Sequence, residues 1–372
     1  MIELATTAAA TTDDWLAANA TCNALGFAWL DKRLSAEPAT AERAAWHAAR
    51  AAMPSPCALD TISALFALSP FDEDVLLITL AAAHDGSFGP RYAAAQGRTS
   101  AAPATPHLLA LLLFDSHSLP PEAQQRLARA APLHRFALIE TGPSDFPITT
   151  PLILPARIHQ TLNGLSTLDA SLETILRPLE PIPLPPRLEA QATRLALTTA
   201  HPLRLQIIGA RGSGRAALAA TILHRLDHTT LHAAESVPAS LAALAARDAL
   251  LAGAGLVIDM DSTPAATARH LDGIPVPLIL LAESATADLP HIPITRLTPM
   301  TPPERAALWH AALPALPPSE TAAAAEHFRL GPTALHAIAR QPGLAEHGLW
   351  AACRDQGGRD LETLTTRIIP ER

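Results

Sequence analysis

The sequence predicts a multidomain α plus α/β chain, with a helical first half ending in a β-hairpin, a parallel α/β unit, and a helical lid. Three observations carry this reading. Helix-start signals and apolar stripes dominate up to about residue 135. Strands and helices alternate around a glycine loop from Leu203, and only helical signals remain after Thr301. Strand–helix alternation is the pattern of a doubly wound sheet. At roughly 150 residues per domain, a chain of 372 residues has room for two to three cores.

Within the first half, Asp14 to Ala52 reads as two helices with an irregular stripe of Trp15, Leu16, Leu25, Trp29, Leu30 and Leu34. Ser69-Pro70 followed by Asp72 and Glu73 is a helix start. The serine suits the N-cap, proline the first turn, and the acids the positive end of the helix dipole. Val75 to Ala83 forms the body of that helix, and Phe88 to Ala95, Thr105 to Phe114 and Pro120 to Ala130 read as three more. Phe136 to Glu140 and Leu152 to Leu154 read as short strands about a Gly142-Pro143 turn, before a helix from Pro155 to Leu162. Helices followed by a hairpin make a winged-helix-like unit.

Prolines mark the seams. Residues 177–187 hold the densest cluster, where lost amide donors and fixed φ favour an extended linker. The expected organisation is a helical region over 1–63, a winged-helix-like domain over 64–176, the linker, an α/β domain over 188–298 and a lid over 299–372. In the α/β part the expected strands are Leu203 to Ile208, Thr229 to His232, Leu256 to Asp259 and Pro277 to Ala282. The expected helices are Arg215 to Leu226, Pro238 to Ala252 and Thr263 to Leu271. The lid helices are Pro302 to Leu313, Ser319 to Phe328, Thr333 to Arg340 and Gly348 to Asp355.

Composition excludes several classes. A net charge of −8 gives no global field for nucleic acid, and the 27 cations comprise one lysine, Lys32, and 26 arginines. Three scattered cysteines make neither a disulfide framework nor a paired metal site, and a reducing cytoplasm is expected. The acidic N-terminus lacks a signal-peptide pattern, and no apolar run reaches about 18 residues. His224, His228 and His232 recur every four residues, but the helix is expected to end near Leu226, which splits them before they form a metal face. No GxSxG elbow frames a nucleophile.

The chemistry-bearing motif is Gly209-Ala210-Arg211-Gly212-Ser213-Gly214-Arg215-Ala216, which occupies the frame GxxxxGK followed by Ser or Thr, between a strand and a helix. Glycines let the backbone wrap an anion, and consecutive N–H groups with the helix N-terminus supply positive charge. Arg215 stands where the frame has lysine, and Ala216 where it has the Mg²⁺-binding hydroxyl. Fifty residues on, Leu256-Val257-Ile258-Asp259-Met260-Asp261 places Asp259 as a metal-side acid and Met260 where a water-activating glutamate belongs. Alternation on a continuing strand puts Asp261 on the same side as Asp259. Glu283-Ser284 and Gly331-Pro332-Thr333 stand near positions where a phosphate sensor and a sensor arginine belong, and supply neither.

These residues, with Leu68 to Leu80, Gly253 to Asp261, Pro303 to Trp309 and Phe328 to Pro332, resemble the N-terminal part of bacterial AAA+ family ATPases. In that group a winged-helix region precedes a degenerate ATPase module and then an active one. The resemblance implies a P-loop nucleotide-binding core, oligomeric assembly, and an intact second module or other protein subunits as partners. The incomplete loop predicts weak ATP or ADP binding, insensitive to Mg²⁺, with no catalytic residue in this chain and a regulatory or scaffold role. Two alternatives stand beside it: an active ATPase remodelling protein substrates, and a winged-helix DNA-binding regulator using Arg126, Arg129 and Arg135. The mixed, apolar surroundings of those arginines favour a protein surface over nucleic acid.

Overall fold

A computed structural model describes residues 12–198, 201–285, 289–342, 344 and 348–362. The chain divides into two compact units, Met1–Ala170 and Ser171–Arg372.

The first unit is helical: α1 (Thr12–Leu34), α2 (Thr40–Ala52), α3 (Ala58–Phe66), α4 (Pro70–His84), α5 (Phe88–Ala95) and α6 (Pro106–Phe114). Its axis is α4, which buries Val75 through Ala81 in an unbroken run, so no amphipathic stripe marks it. A capping box fixes its start: Ser69 accepts from the Asp72 amide, and the Asp72 carboxylate accepts from the Ser69 amide. Gly26 lets α1 approach α4 closely, because a Cβ there would lie 2.7 Å from a Leu77 methyl. Asn19 is buried in the same face and bridges backbone groups, donating to Leu162 O at 2.9 Å and accepting from Ala58 N at 2.9 Å. Trp29 and Trp46 lie in near-parallel planes, with the Arg43 guanidinium over both and bidentate on Asp74 at 2.6 and 3.0 Å.

The unit ends with α7 (Pro121–Arg126), α8 (Pro132–Arg135), β1 (Glu140–Thr141), β2 (Leu152–Ile153) and α9 (Ala156–Leu162). The helix expected over Pro120 to Ala130 stops at Arg126 and restarts at Pro132, the proline opening a new turn. The first hairpin strand also shifts. Residues 136–139 are not strand; the Leu138 and Ile139 amides fold back onto Leu133 O, and Ala137 takes a positive φ of 47°. Only Glu140 and Thr141 pair with Ile153 and Leu152, and Ala104 bridges Leu152 on its other side.

The second unit carries β3 (Arg177–Pro178), α10 (Pro186–Thr198), β4 (Arg204–Ile208), α11 (Arg215–His224), β5 (Thr229–Ala233), α12 (Ala242–Leu251), β6 (Ala254–Asp259), α13 (Ala265–Leu271), β7 (Leu278–Ala282) and β8 (Ile294–Arg296). The strands form one sheet in the order β3-β5-β6-β7-β4-β8, parallel except for β3. Every residue of β7 is buried, as a strand covered on both faces requires. The segment expected as a free linker is instead part of this unit. Arg177 and Pro178 pair with His232 and Leu231, and Leu184 and Leu188 enter the core. An edge strand tolerates proline because its outer side needs no amide donor. The division of the chain falls before it, after Ala170. The short edge strand β8 has no counterpart in the sequence reading, its three residues being too few to show a pattern.

The lid helices are α14 (Pro302–Ala312), α15 (Pro318–His327), α16 (Pro332–Ala339) and α17 (Leu349–Glu362). They pack around Trp309, Ala324, Ala325, Leu335, Ile338 and Cys353. Buried Arg305 ties them together, donating to Ala325 O at 2.9 Å and Met300 O at 2.5 Å. Among the described residues, no helix is long and apolar enough to cross a membrane.

Candidate functional site

The glycine loop lies between β4 and α11, outside the carboxyl end of a strand flanked by β7 and β8. The connection from β4 leaves toward β5, while that from β7 crosses to β8, so the loop sits where the sheet's connections part. Open α/β sheets bind ligands at such a point. Gly212 and Gly214 take φ of 73° and 100°, which side-chain-bearing residues rarely adopt, so the turn into α11 depends on them. Gly209 lies close to Ser213 Oγ and Leu297, Ala210 O accepts from Ser213 N at 3.1 Å, and Ser213 Oγ is buried without a hydrogen-bond partner.

A cavity of about 320 Å³ opens beside the loop, lined by Arg211, Gly212, Gly214, Arg215, Ala216 and Asp259 with residues of β5 and the lid. The size is at the low end for a small-molecule pocket. Arg215 is 6% exposed and turns onto two carboxylates: its Nη1 lies 2.9 Å from Asp261 Oδ2 and its Nη2 3.5 Å from Asp259 Oδ2. Arg211 extends toward Asp261 and Glu283, at 3.7 and 3.9 Å. The carboxylates are chained through backbone amides, with Asp259 Oδ1 accepting from Asp261 N and Asp261 Oδ1 from Glu283 N, both at 2.9 Å. Glu283 Oε1 in turn accepts from the Arg211 amide at 3.3 Å. Partial burial pushes the Asp261 carboxyl up, but the Glu283 amide and the Arg215 and Arg211 guanidiniums outweigh it and hold it below its ordinary value. His232 lines the same cavity; burial lowers its pKa despite Asp259, so it is neutral, and its Nε2 is buried without a hydrogen-bond partner.

The lid closes on this loop. A Cβ on Gly331 would fall 1.6 Å from Gly212 O, and one on Gly214 2.8 Å from the Pro332 ring, so the N-terminus of α16 rests on the loop backbone. The fold thus brings together Gly209 to Ala216, Asp259, Asp261, Glu283 and Gly331. Sequence reasoning missed that Glu283 and Asp261 reach the loop's own arginines; the only signal was an acid following each of two adjacent apolar strands.

These residues do not fit a Mg²⁺-nucleotide. Ala216 offers no hydroxyl ligand, Met260 no base, and the Arg215 guanidinium is ion-paired to Asp259 and Asp261. No group of three or more metal-ligating side chains occurs among the described residues.

In the first unit, Arg126 is committed to Asp72, a fully buried carboxylate, with Nε 3.2 Å from Oδ1. Arg129 and Arg135 are exposed, and Arg135 lies over the Phe136 ring. Residues 1–170 hold ten Lys and Arg against sixteen Asp and Glu. Such a unit has little means of neutralising phosphates.

Residues 301–359 match a family model described as the contractile injection system ATPase helical domain. Residues 27–176 match one described as a winged helix domain, variant. No curated protein matches the chain. The two matches support an ATPase-related protein with a winged-helix region.

Proposed function

We propose that this protein is a catalytically silent, ATPase-related subunit that docks and regulates other subunits of an ATP-driven machine of the contractile injection type. The observation that carries the reading is the buried Arg215 guanidinium, ion-paired to Asp259 and Asp261, which uses the loop's central cation internally. Positioning and charge stabilisation supply most of the catalysis of phosphoryl transfer. A loop without lysine, metal-binding hydroxyl or water-activating glutamate retains little of either. A degenerate AAA+ module is the finer reading. It is supported by the loop's frame, the parallel sheet behind it, and the helical match over the lid. The helical match also supports assembly with other protein subunits.

The test is calorimetric titration of the full chain with ATP and ADP, with and without Mg²⁺, alongside a phosphate-release assay. Weak binding unaffected by Mg²⁺, with release at background, is expected. Robust Mg²⁺-dependent hydrolysis abolished by Arg215→Ala would overturn the proposal.

A further inference from the structure

Two arginines and three carboxylates meet at the glycine loop. Arg215 is almost wholly buried and held by Asp259 and Asp261, while Arg211 reaches toward Asp261 and Glu283. The cluster therefore carries one net negative charge at the position where the loop and the start of α11 present backbone N–H groups. One of those groups, the Arg211 amide, is already capped by the Glu283 carboxylate at 3.3 Å. A phosphate-type anion approaching the loop meets one guanidinium already ion-paired, a second, exposed one 3.7 and 3.9 Å from two carboxylates, an amide that is already bonded, and three carboxylates.

We infer that Asp261 and Glu283 are a built-in substitute for a bound anion, so that the loop is a masked, metal-free site for a pyrophosphate-type ligand. Glu283 takes the Arg211 amide and Asp261 the Arg215 guanidinium, whose single positive charge offsets one of the two negative charges on Asp259 and Asp261. The inference rests on reading Gly209 to Ala216 as a phosphate cradle, and it adds which side chains keep that cradle closed. The neighbouring cavity of about 320 Å³, with the neutral ring of His232 and the hydroxyl-bearing Ser262 and Thr333 in its wall, is where the released donors would face a ligand. With Asp261 and Glu283 made neutral, two guanidiniums face a single carboxylate and the local balance becomes positive. Charge-assisted bonds from Arg215 and the Arg211 amide are then available to an anion.

The experiment titrates pyrophosphate and ADP, without metal, into the full-length wild type, Glu283→Gln, Asp261→Asn/Glu283→Gln, and that double variant with Arg215→Ala added. Circular dichroism and a thermal midpoint establish folding of each. The expected result is pyrophosphate affinity at least tenfold higher in the double variant than in the wild type, lost when Arg215 is also removed. Glu283 is 55% exposed, so Glu283→Gln retains the fold and yields a smaller gain, because it removes one negative charge and its neutral oxygen holds the Arg211 amide less strongly than a carboxylate does. That variant decides the matter if the double variant does not fold. Wild-type affinity equal to that of the variants would overturn the masking while leaving the cradle reading intact. Folded variants that bind neither pyrophosphate nor ADP would overturn both. A gain that survives Arg215→Ala would place the anion elsewhere and also overturn the inference.

Discussion

Gly331→Ala probes the joint between lid and loop more sharply than any change in the ion cluster. Gly331 has φ −87° and ψ 173°, a conformation open to alanine, so the substitution adds no backbone strain. Its effect is steric: the new methyl would lie 1.6 Å from Gly212 O and 2.8 Å from Gly212 C. A carbon and a carbonyl oxygen approach to about 3.3 Å, so α16 and the loop must part by roughly 1.7 Å. Neither atom belongs to a flexible side chain that could turn away. Overpacking of this kind costs about 1–3 kcal/mol, and the upper end applies because backbone meets backbone. For a unit of about 200 residues, 3 kcal/mol lowers the thermal midpoint by about 6–12 °C. Calorimetric melting of the second unit reads this out, with two controls. Gly212→Ala finds open space but a φ of 73°, for a cost of about 1–2 kcal/mol. Gly86→Ala, in the first unit, finds nothing within 4 Å and leaves the midpoint of the second unit at its wild-type value. If Gly331→Ala melts with Gly86→Ala, the lid does not rest on the loop and the closed joint is wrong.

Further tests address the two units separately. Arg126→Ala strands the buried carboxylate of Asp72 and costs about 3 kcal/mol by urea denaturation, the low end for a broken buried pair because the capping box still serves Asp72. Arg129→Ala changes the same midpoint by less than about 0.5 kcal/mol. His232 is held neutral in the fold while an unfolded chain takes the proton near 6.5. Its contribution is complete above that pH and is lost as pH falls through the lower folded value, so His232→Gln flattens the stability profile on the acid side of pH 6.5. Asp261 has a folded pKa below its ordinary 3.8. Its stabilisation is present above 3.8 and disappears as pH falls through the folded value, and Asp261→Asn removes this part of acid denaturation. A gel shift with duplex DNA at physiological salt shows no retarded band, and a salt-sensitive band would revive the nucleic-acid reading.

The sequence by itself determined most of the local architecture. Ser69-Pro70 with Asp72 fixed the start of α4, because capping and proline act within one turn. The glycine loop between an apolar strand and a helix was legible because left-handed turns demand glycine at defined positions. The expectation that Asp261 shares a side with Asp259 assumed a strand that continues; β6 ends at Asp259, and the turn that Asp259 Oδ1 closes on the Asp261 amide is what brings both carboxylates to Arg215. Tertiary structure decided the rest, for reasons that short-range rules do not contain. The proline-rich segment joined the sheet because β5 offered it an open edge. The first hairpin strand shortened because Leu138 and Ile139 bond back to Leu133 and bury their side chains. Glu283 met the Arg211 amide, and Gly331 met Gly212, only because the sheet and the lid carry residues 72 and 119 positions apart to one point. A motif shows which groups a loop has lost; only the folded chain shows which of its own groups have taken their place.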